Sequence, residues 1–280
     1  MKFEYFILTL NEEKNIKDCI KSIQEIGGKN ITVLDGGSSD KTEKISSDLK
    51  VNFLTFPGSS LSFRRGYAVE NTEAEYLVFV DADQRLVKYD YDLENVIEKK
   101  FIDDNKLSGL VFQKIQDGIL NYWERGFALR HTMCNGTGTL KKVIGTPTVF
   151  RAKYGKEVGF NRNLERTCDD TVFCNRLVDA GYKLKAMPQN AIELSRSSLK
   201  DTIKKAFWYG CGDSEYIWLY KDKRLNHLFH IIVRVPILHT IIVLFKKPSL
   251  TFFFLIFGIC RLYGMIYGFF TKKELSSAKS

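Results

Sequence analysis

The segment that most constrains this chain is Tyr76–Val80, five consecutive apolar residues rich in aromatic and β-branched side chains. A run this short and continuous suits a strand buried on both faces, as in a parallel sheet covered by helices. It stops at Asp81-Ala82-Asp83, so two carboxylates stand where the strand emerges at its carboxyl end. Open α/β sheets bind ligands in the crevice at that end. Asp81 and Asp83 offer hard oxygen donors that suit a divalent metal with positions left open for phosphate oxygens. A polar turn closing a strand uses the same residue types, so the neighbouring segments have to decide between the two readings.

Upstream, strand-like and helix-like patterns alternate. Phe3–Leu10 reads as a first strand, followed by Asn11-Glu12-Glu13 and a helix with Ile16, Cys19, Ile20, Ile23 and Ile26 at three- and four-residue spacing. That helix stops at Gly27-Gly28. Ile31–Leu34 is a second strand, a helix runs from about Lys41 to Leu49, Val51–Phe56 is a third strand, and Arg64–Asn71 a helix before the organising strand. Strands alternating with helices predict an α/β fold with a doubly wound sheet. The second strand ends in Asp35-Gly36-Gly37-Ser38-Ser39-Asp40. Its glycines permit a sharp turn and close approach to a ligand, and Asp35 offers an acceptor to a base or ribose. Ser38, Ser39 and Asp40 also serve as helix caps, and a helix N-terminus suits a diphosphate, so both uses stand together. Neither a Walker loop nor a G-x-G-x-x-G loop is present, which excludes the motif-based case for an ATPase or a dehydrogenase.

The ordered set TLNEEKNIKDCIKSI, VLDGGSSDKT and EYLVFVDAD resembles the inverting glycosyltransferases of family two. It departs from their usual pattern at Leu8 and Leu10, where they have Pro and Tyr, and at Lys41, where they have Gly. The resemblance implies a GT-A (Rossmann-like) mixed α/β sheet flanked by helices over residues 1–215; the apolar length and flanking charge of residues 216–280 predict hydrophobic, basic, membrane-associating helices there. By the same resemblance Thr9, Asn11, Glu12, Asp35, Gly36 and Ser38 bind the nucleotide-sugar, with Arg64 or Arg65 nearby. Asp81 holds ribose and, with Asp83, Mg2+ or Mn2+. The run Cys168-Asp169-Asp170-Thr171, leading into an apolar helix and Ala180-Gly181-Tyr182, resembles the segment that carries the catalytic carboxylate, which falls on Asp170 with Asp169 beside it. Inverting transfer needs such a base and no covalent nucleophile. The glycine-rich run Gly136–Phe150 resembles the segment that precedes the base. Lys204-Lys205-Ala206-Phe207-Trp208-Tyr209-Gly210 resembles the basic-aromatic element that follows it. Trp208 lines a sugar pocket on this reading, or belongs to a solvated helix face on the plainer one.

Charge separates the two ends of the chain. Residues 1–195 balance 28 Lys and Arg against 28 Asp and Glu, and residues 196–280 carry 14 against 5, the whole of the net +9. The basic excess is interleaved with apolar stretches at His227–Phe245 and Leu250–Phe270, which favours a membrane surface over nucleic acid. Arg261 near the middle of the second stretch argues against a simple lipid-exposed span. Basic residues at 221–224, 246–247 and 272–273 fit a surface-lying or re-entrant pair, if all prefer one side. A helical lid buried on a soluble enzyme is the other reading of the same stretches. The six cysteines lack metal-site spacing, and the opening segment lacks a signal peptide's apolar core. The expectation is a metal-dependent transferase at the cell membrane, catalytic domain on the cytoplasmic side. It would take a UDP- or GDP-linked sugar to a lipid-linked or polyprenyl-phosphate acceptor. The rival is a catalytically silent, membrane-anchored nucleotide-sugar binding module.

Overall fold

A computed structural model describes residues 2–134, 138–140, 145–162, 164–194 and 197–277. Part of the glycine-rich run 136–150 therefore lies outside the described residues. The chain forms two compact units. The first comprises Met1–Asp117, His131–Glu165 and Asp169–Leu194; the second comprises Gly118–Arg130, Arg166–Cys168 and Ser195–Ser280.

The first unit is built on a mixed sheet. Its strands are β1 (Phe3–Thr9), β2 (Ile31–Asp35), β3 (Asn52–Thr55), β4 (Tyr76–Asp81), β5 (Gln84–Leu86), β6 (Leu107–Ile115), β7 (Thr139–Leu140), β8 (Thr148–Arg151) and β9 (Lys183–Glu193). The order is β3-β2-β1-β4-β8-β6-β9-β5, with β7 added on β9. β1 to β4 are parallel where they pair, as the alternating pattern predicts, whereas β8 runs antiparallel to both β4 and β6. Side chains on successive positions enter opposite cores. Phe3, Tyr5, Ile7, Tyr76, Val78 and Val80 pack on one face, and Phe6, Leu8, Leu77 and Phe79 on the other. That two-sided burial is why these strands read as unbroken apolar runs.

Helices α1 (Ile16–Glu25), α2 (Thr42–Asp48), α3 (Leu61–Asn71), α4 (Leu93–Asp103), α5 (Tyr122–Cys134), α6 (Ala152–Val158) and α7 (Asp169–Asp179) follow in chain order; all belong to the first unit except α5, whose residues 122–130 fall in the second. α1 buries Ile16, Cys19, Ile20 and Ile23 on one stripe, and each isoleucine contributes about 1.5–3 kcal/mol by leaving water. α3 starts three residues before the expected Arg64, because Ser60 Oγ accepts from Phe63 N and caps it there.

The second unit is helical, with α8 (Leu199–Leu219), α9 (Arg224–Phe229), a π-helical stretch His230–Leu238, α10 (His239–Lys246) and α11 (Thr251–Ser277). α8 carries residue 215, the expected boundary, inside it and groups whole with the C-terminal helices. α8 and α11 cross at backbone contact. A Cβ on Gly210 would lie 1.9 Å from the Arg261 carbonyl oxygen, and one on Gly264 would lie 2.2 Å from that of Phe207. At the crossing, Asp213 accepts from Arg261 Nε and Nη2 at 2.7 and 2.9 Å and meets His227 Nε2 at 2.9 Å. Burial raises the pKa of Asp213, and Arg261 and His227 more than reverse this, holding it at about 2. The arginine inside the apolar stretch is thus neutralised within its own unit. Asp213→Ala strands that guanidinium and should cost about 3–5 kcal/mol of stability, read as a lower denaturant midpoint. A change below ~1 kcal/mol would show that the pair contributes little.

Candidate active site

Hydrogen-bond register brings the carboxyl ends of the three central parallel strands level: Thr9 faces Asp35, and Leu8 faces Asp81. The loops after β1 and β2 then lock to one another. Asn11 adopts φ 55°, donates its amide to Ser38 Oγ at 2.7 Å and accepts from Ser39 N at 2.9 Å. Glu12 N donates to Thr42 Oγ1 and Glu13 N to Asp40 Oδ2. Asp40 also accepts from the amide of Thr42, the first residue of the seven-residue α2, whose N-cap position is Lys41 and makes no side-chain cap bond.

Asp35 is buried, and its own loop engages it. Oδ2 accepts from Gly37 N and Ser38 N at 2.7 Å each, and Oδ1 from Ser38 Oγ at 2.5 Å. Gly36 is fitted against Arg64, whose guanidinium carbon lies 3.2 Å from where a Cβ would stand. Arg64 Nη1 donates to the carbonyls of Thr9 and Leu34 at 2.6 and 2.9 Å, tying the ends of β1 and β2 together. Burial lowers the Arg64 pKa against the pull of Asp35. Thr9 Oγ1 is buried with no hydrogen-bond partner among the described residues.

Arg65, the next residue, does a different job. Its Nη2 donates to Asp81 Oδ1 at 3.1 Å and its Nη1 to Asp169 Oδ2 at 2.7 Å. It therefore bridges the end of β4 to the start of α7, with its guanidinium 5.9 Å from the Phe79 ring centroid. Burial opposes its charge, but Asp169 and Asp81 raise its pKa overall. The other oxygen of Asp81 accepts from Thr146 Oγ1 at 2.5 Å. Asp83 is half-buried, two residues on.

Asp170 is half-buried at the start of α7. It accepts from Gly145 N and Thr171 N, each at 2.6 Å. Burial and then the Asp169 carboxylate raise its pKa, opposed by Arg65 and the two amides. A carboxyl tuned upward in this way is chemically able to serve as a general base. Trp208 lies on α8 in the second unit, with Lys205 Nζ 4.9 Å from its ring centroid.

Sequence reasoning missed three members of this cluster: Thr146, Gln84 and Glu193. Gln84 accepts from Asp81 N and donates to the Thr146 carbonyl and to Glu193, which pairs with Lys114 at 2.6 Å. The closeness of Gln84 to Asp83 and the place of Thr146 in the run Gly136–Phe150 are the signals the sequence offers, since Lys114 and Glu193 come from strands distant in sequence.

The family model for glycosyl transferase family 2 matches residues 5–179. An uncharacterized glycosyltransferase of Rickettsia bellii is 23% identical over 209 residues, 74% of this chain, and the match spans only 65% of that relative. Glycosyltransferase AglJ of Haloferax volcanii is 33% identical over 76 residues, 27% of this chain and 25% of its own. Among solved structures, the mannosyltransferase PcManGT of Pyrobaculum calidifontis, in complex with GDP-Man and Mn2+, superposes with a TM-score of 0.65 at 13% identity, over 95% of this chain and 87% of that one. S. aureus TarS residues 1–349, in complex with UDP-GlcNAc, gives 0.54 at 16% identity, over 89% and 78%. The shared architecture is the GT-A fold.

The bridge carries a direct test. Arg65→Gln leaves Asp169 buried beside Asp170 with no cation and should cost about 3–5 kcal/mol, read as a lower urea midpoint at unchanged slope. A stability loss under ~1 kcal/mol would mean that the carboxylates do not depend on Arg65.

Proposed function

The chain belongs to glycosyl transferase family 2, and on that premise we propose that it performs an inverting, metal-dependent transfer of a sugar from a UDP- or GDP-linked donor. The acceptor is a hydroxyl or phosphate on a lipid-linked saccharide or polyprenyl phosphate at the cell membrane, with catalysis on the cytoplasmic side. The observation that carries this reading is Asp170, a carboxyl of raised pKa whose neighbour Asp169 shares Arg65 with Asp81.

In this mechanism the acceptor oxygen attacks the anomeric carbon from the face opposite the nucleotide. Where the acceptor is a hydroxyl, Asp170 takes its proton as the new C–O bond forms and the bond to the diphosphate oxygen breaks; a phosphate oxyanion would attack without giving up a proton. Amides of Gly145 and Thr171 hold the carboxylate in place. The orphaned Thr9 Oγ1 and the strapped loop of Asn11, Glu12, Asp35, Gly36 and Ser38 form the donor side. Hard carboxylate oxygens at the end of β4 fit Mg2+ or Mn2+. Asp81 is engaged by Arg65 and Thr146; by the family resemblance Asp83 is the surer metal ligand, with Asp81 beside it. Such an ion supplies charge stabilisation to the departing diphosphate. Trp208 as a sugar-lining residue rests on the family resemblance alone. The basic apolar tail supports a membrane-held acceptor.

Membrane fractions supplied with a panel of UDP- and GDP-sugars and Mn2+ should release nucleotide from one donor. Asp170→Asn should lower that rate by about 10²–10⁴-fold while leaving donor binding intact. Equal turnover in both forms would remove Asp170 from the chemistry, and donor binding without turnover in either would favour a binding module. The base acts deprotonated and its pKa is raised. The rate should therefore fall with decreasing pH before ordinary carboxylates titrate, and a pH-independent rate down to the ordinary carboxylate range would contradict the assignment.

A further inference from the structure

Two helical stretches of the second unit, Arg224–Lys246 and Pro248–Thr271, contain 18-residue windows of mean hydropathy 2.2 and 1.8 and are long and apolar enough to cross a membrane. Length alone does not decide their orientation. We infer that they lie along one leaflet of an anionic bilayer without crossing it, presenting an outward apolar face to the acyl chains. This inference rests on the membrane attachment proposed above and specifies its geometry.

Three observations carry it. First, α11 is one-sided. Phe252, Leu255, Ile259, Tyr263, Ile266 and Phe270 are exposed at spacings of three and four, an uncharged stripe along the helix, while Phe253, Phe254, Phe257 and Met265 are buried on the other side. A one-sided apolar stripe is the pattern of a helix resting in an interface. Second, Arg234 is exposed near the middle of Arg224–Lys246. A 23-residue helix is about 35 Å long at ~1.5 Å per residue, so crossing would place this guanidinium near the bilayer midplane, among the costliest positions for a cation. Lying in the plane, it reaches lipid phosphates directly.

Third, α8 crosses the middle of α11. The Phe207 carbonyl abuts Gly264, which stands only about 7 Å along the axis from the midpoint of Pro248–Thr271. Exposed Lys204 is within one helical turn of Phe207. With a hydrocarbon half-thickness of about 15 Å, a crossing α11 would carry Lys204 into the acyl region, whereas an in-plane α11 leaves it in water. The partner's charge follows from the ends of the first stretch. Lys221 and Arg224 stand at its start, Lys246 and Lys247 at its end, and all four are exposed. Both ends are cationic, so one anionic surface satisfies both at once.

The test uses the full chain in sealed membrane vesicles of either orientation. Ser249→Cys, in the exposed turn between the two stretches, is compared with Lys21→Cys on the exposed side of α1. An impermeant maleimide is applied to each, and the labelled peptide is identified by mass. Labelling of both positions from the same side is the expected result. Labelling from opposite sides, or of position 249 only after detergent, would overturn the in-plane geometry while leaving membrane attachment standing. Recovery of the chain in the soluble fraction would instead remove the attachment on which the inference rests. As a second measurement, Lys246→Gln with Lys247→Gln should weaken binding to phosphatidylglycerol-containing vesicles roughly thirtyfold and leave binding to pure phosphatidylcholine unchanged. A crossing hairpin, relieved of two charges at its tip, would bind no worse. Salt-insensitive self-association without vesicle binding would assign the face to a second copy and overturn the proposal.

Discussion

The arrangement of the candidate site depends on one buried guanidinium. Arg65 joins Asp81, at the end of a strand, to Asp169, at the start of a helix about ninety residues later. A buried ion pair stabilises little against a hydrophobic replacement, but removing one partner is expensive, so it fixes which groups stand together. Here it sets the end of β4 and the first turn of α7 in a single geometry. Burial, and after it the Asp169 carboxylate, tunes Asp170 upward: two adjacent carboxylates beside one cation cannot both be fully compensated.

Around this bridge the backbone is held before any ligand arrives. Arg64 ties β1 to β2 through two carbonyls, Asn11 ties their loops, and Asp35 closes its own turn with three accepted hydrogen bonds. Catalysis by positioning requires such preorganisation, because reorganising polar groups during reaction subtracts from the rate. Neighbouring arginines thus divide the labour, Arg64 on the backbone and Arg65 on the carboxylates.

How much of this could be read from residues follows from the range of each interaction. Strands β1, β2 and β4 are legible because burial on both faces leaves uninterrupted apolar runs, and α1 because its isoleucines repeat every three or four positions. The Asp-Gly-Gly turn and the Asp-Ala-Asp terminus are legible because strand ends expose their chemistry locally. The antiparallel insertion of β8 between β4 and β6 is not, since it pairs across about seventy residues to β4 and about forty to β6. Nor is the inward use of Asp35, whose partners are backbone amides that every residue possesses. Arg261 signals in sequence only that something must neutralise it; that Asp213 does so depends on Gly210 and Gly264 letting two helices meet.

In the proposed reaction Asp170 is the base, and the acceptor oxygen displaces the nucleotide directly. A single displacement inverts the anomeric centre, whereas a covalent sugar–enzyme intermediate would preserve it. Once the donor is known, the configuration of the product read by proton NMR before any mutarotation is the most direct measurement. The account predicts an anomeric configuration opposite to that of the donor. Retention would contradict it and require a nucleophile that this arrangement does not assign.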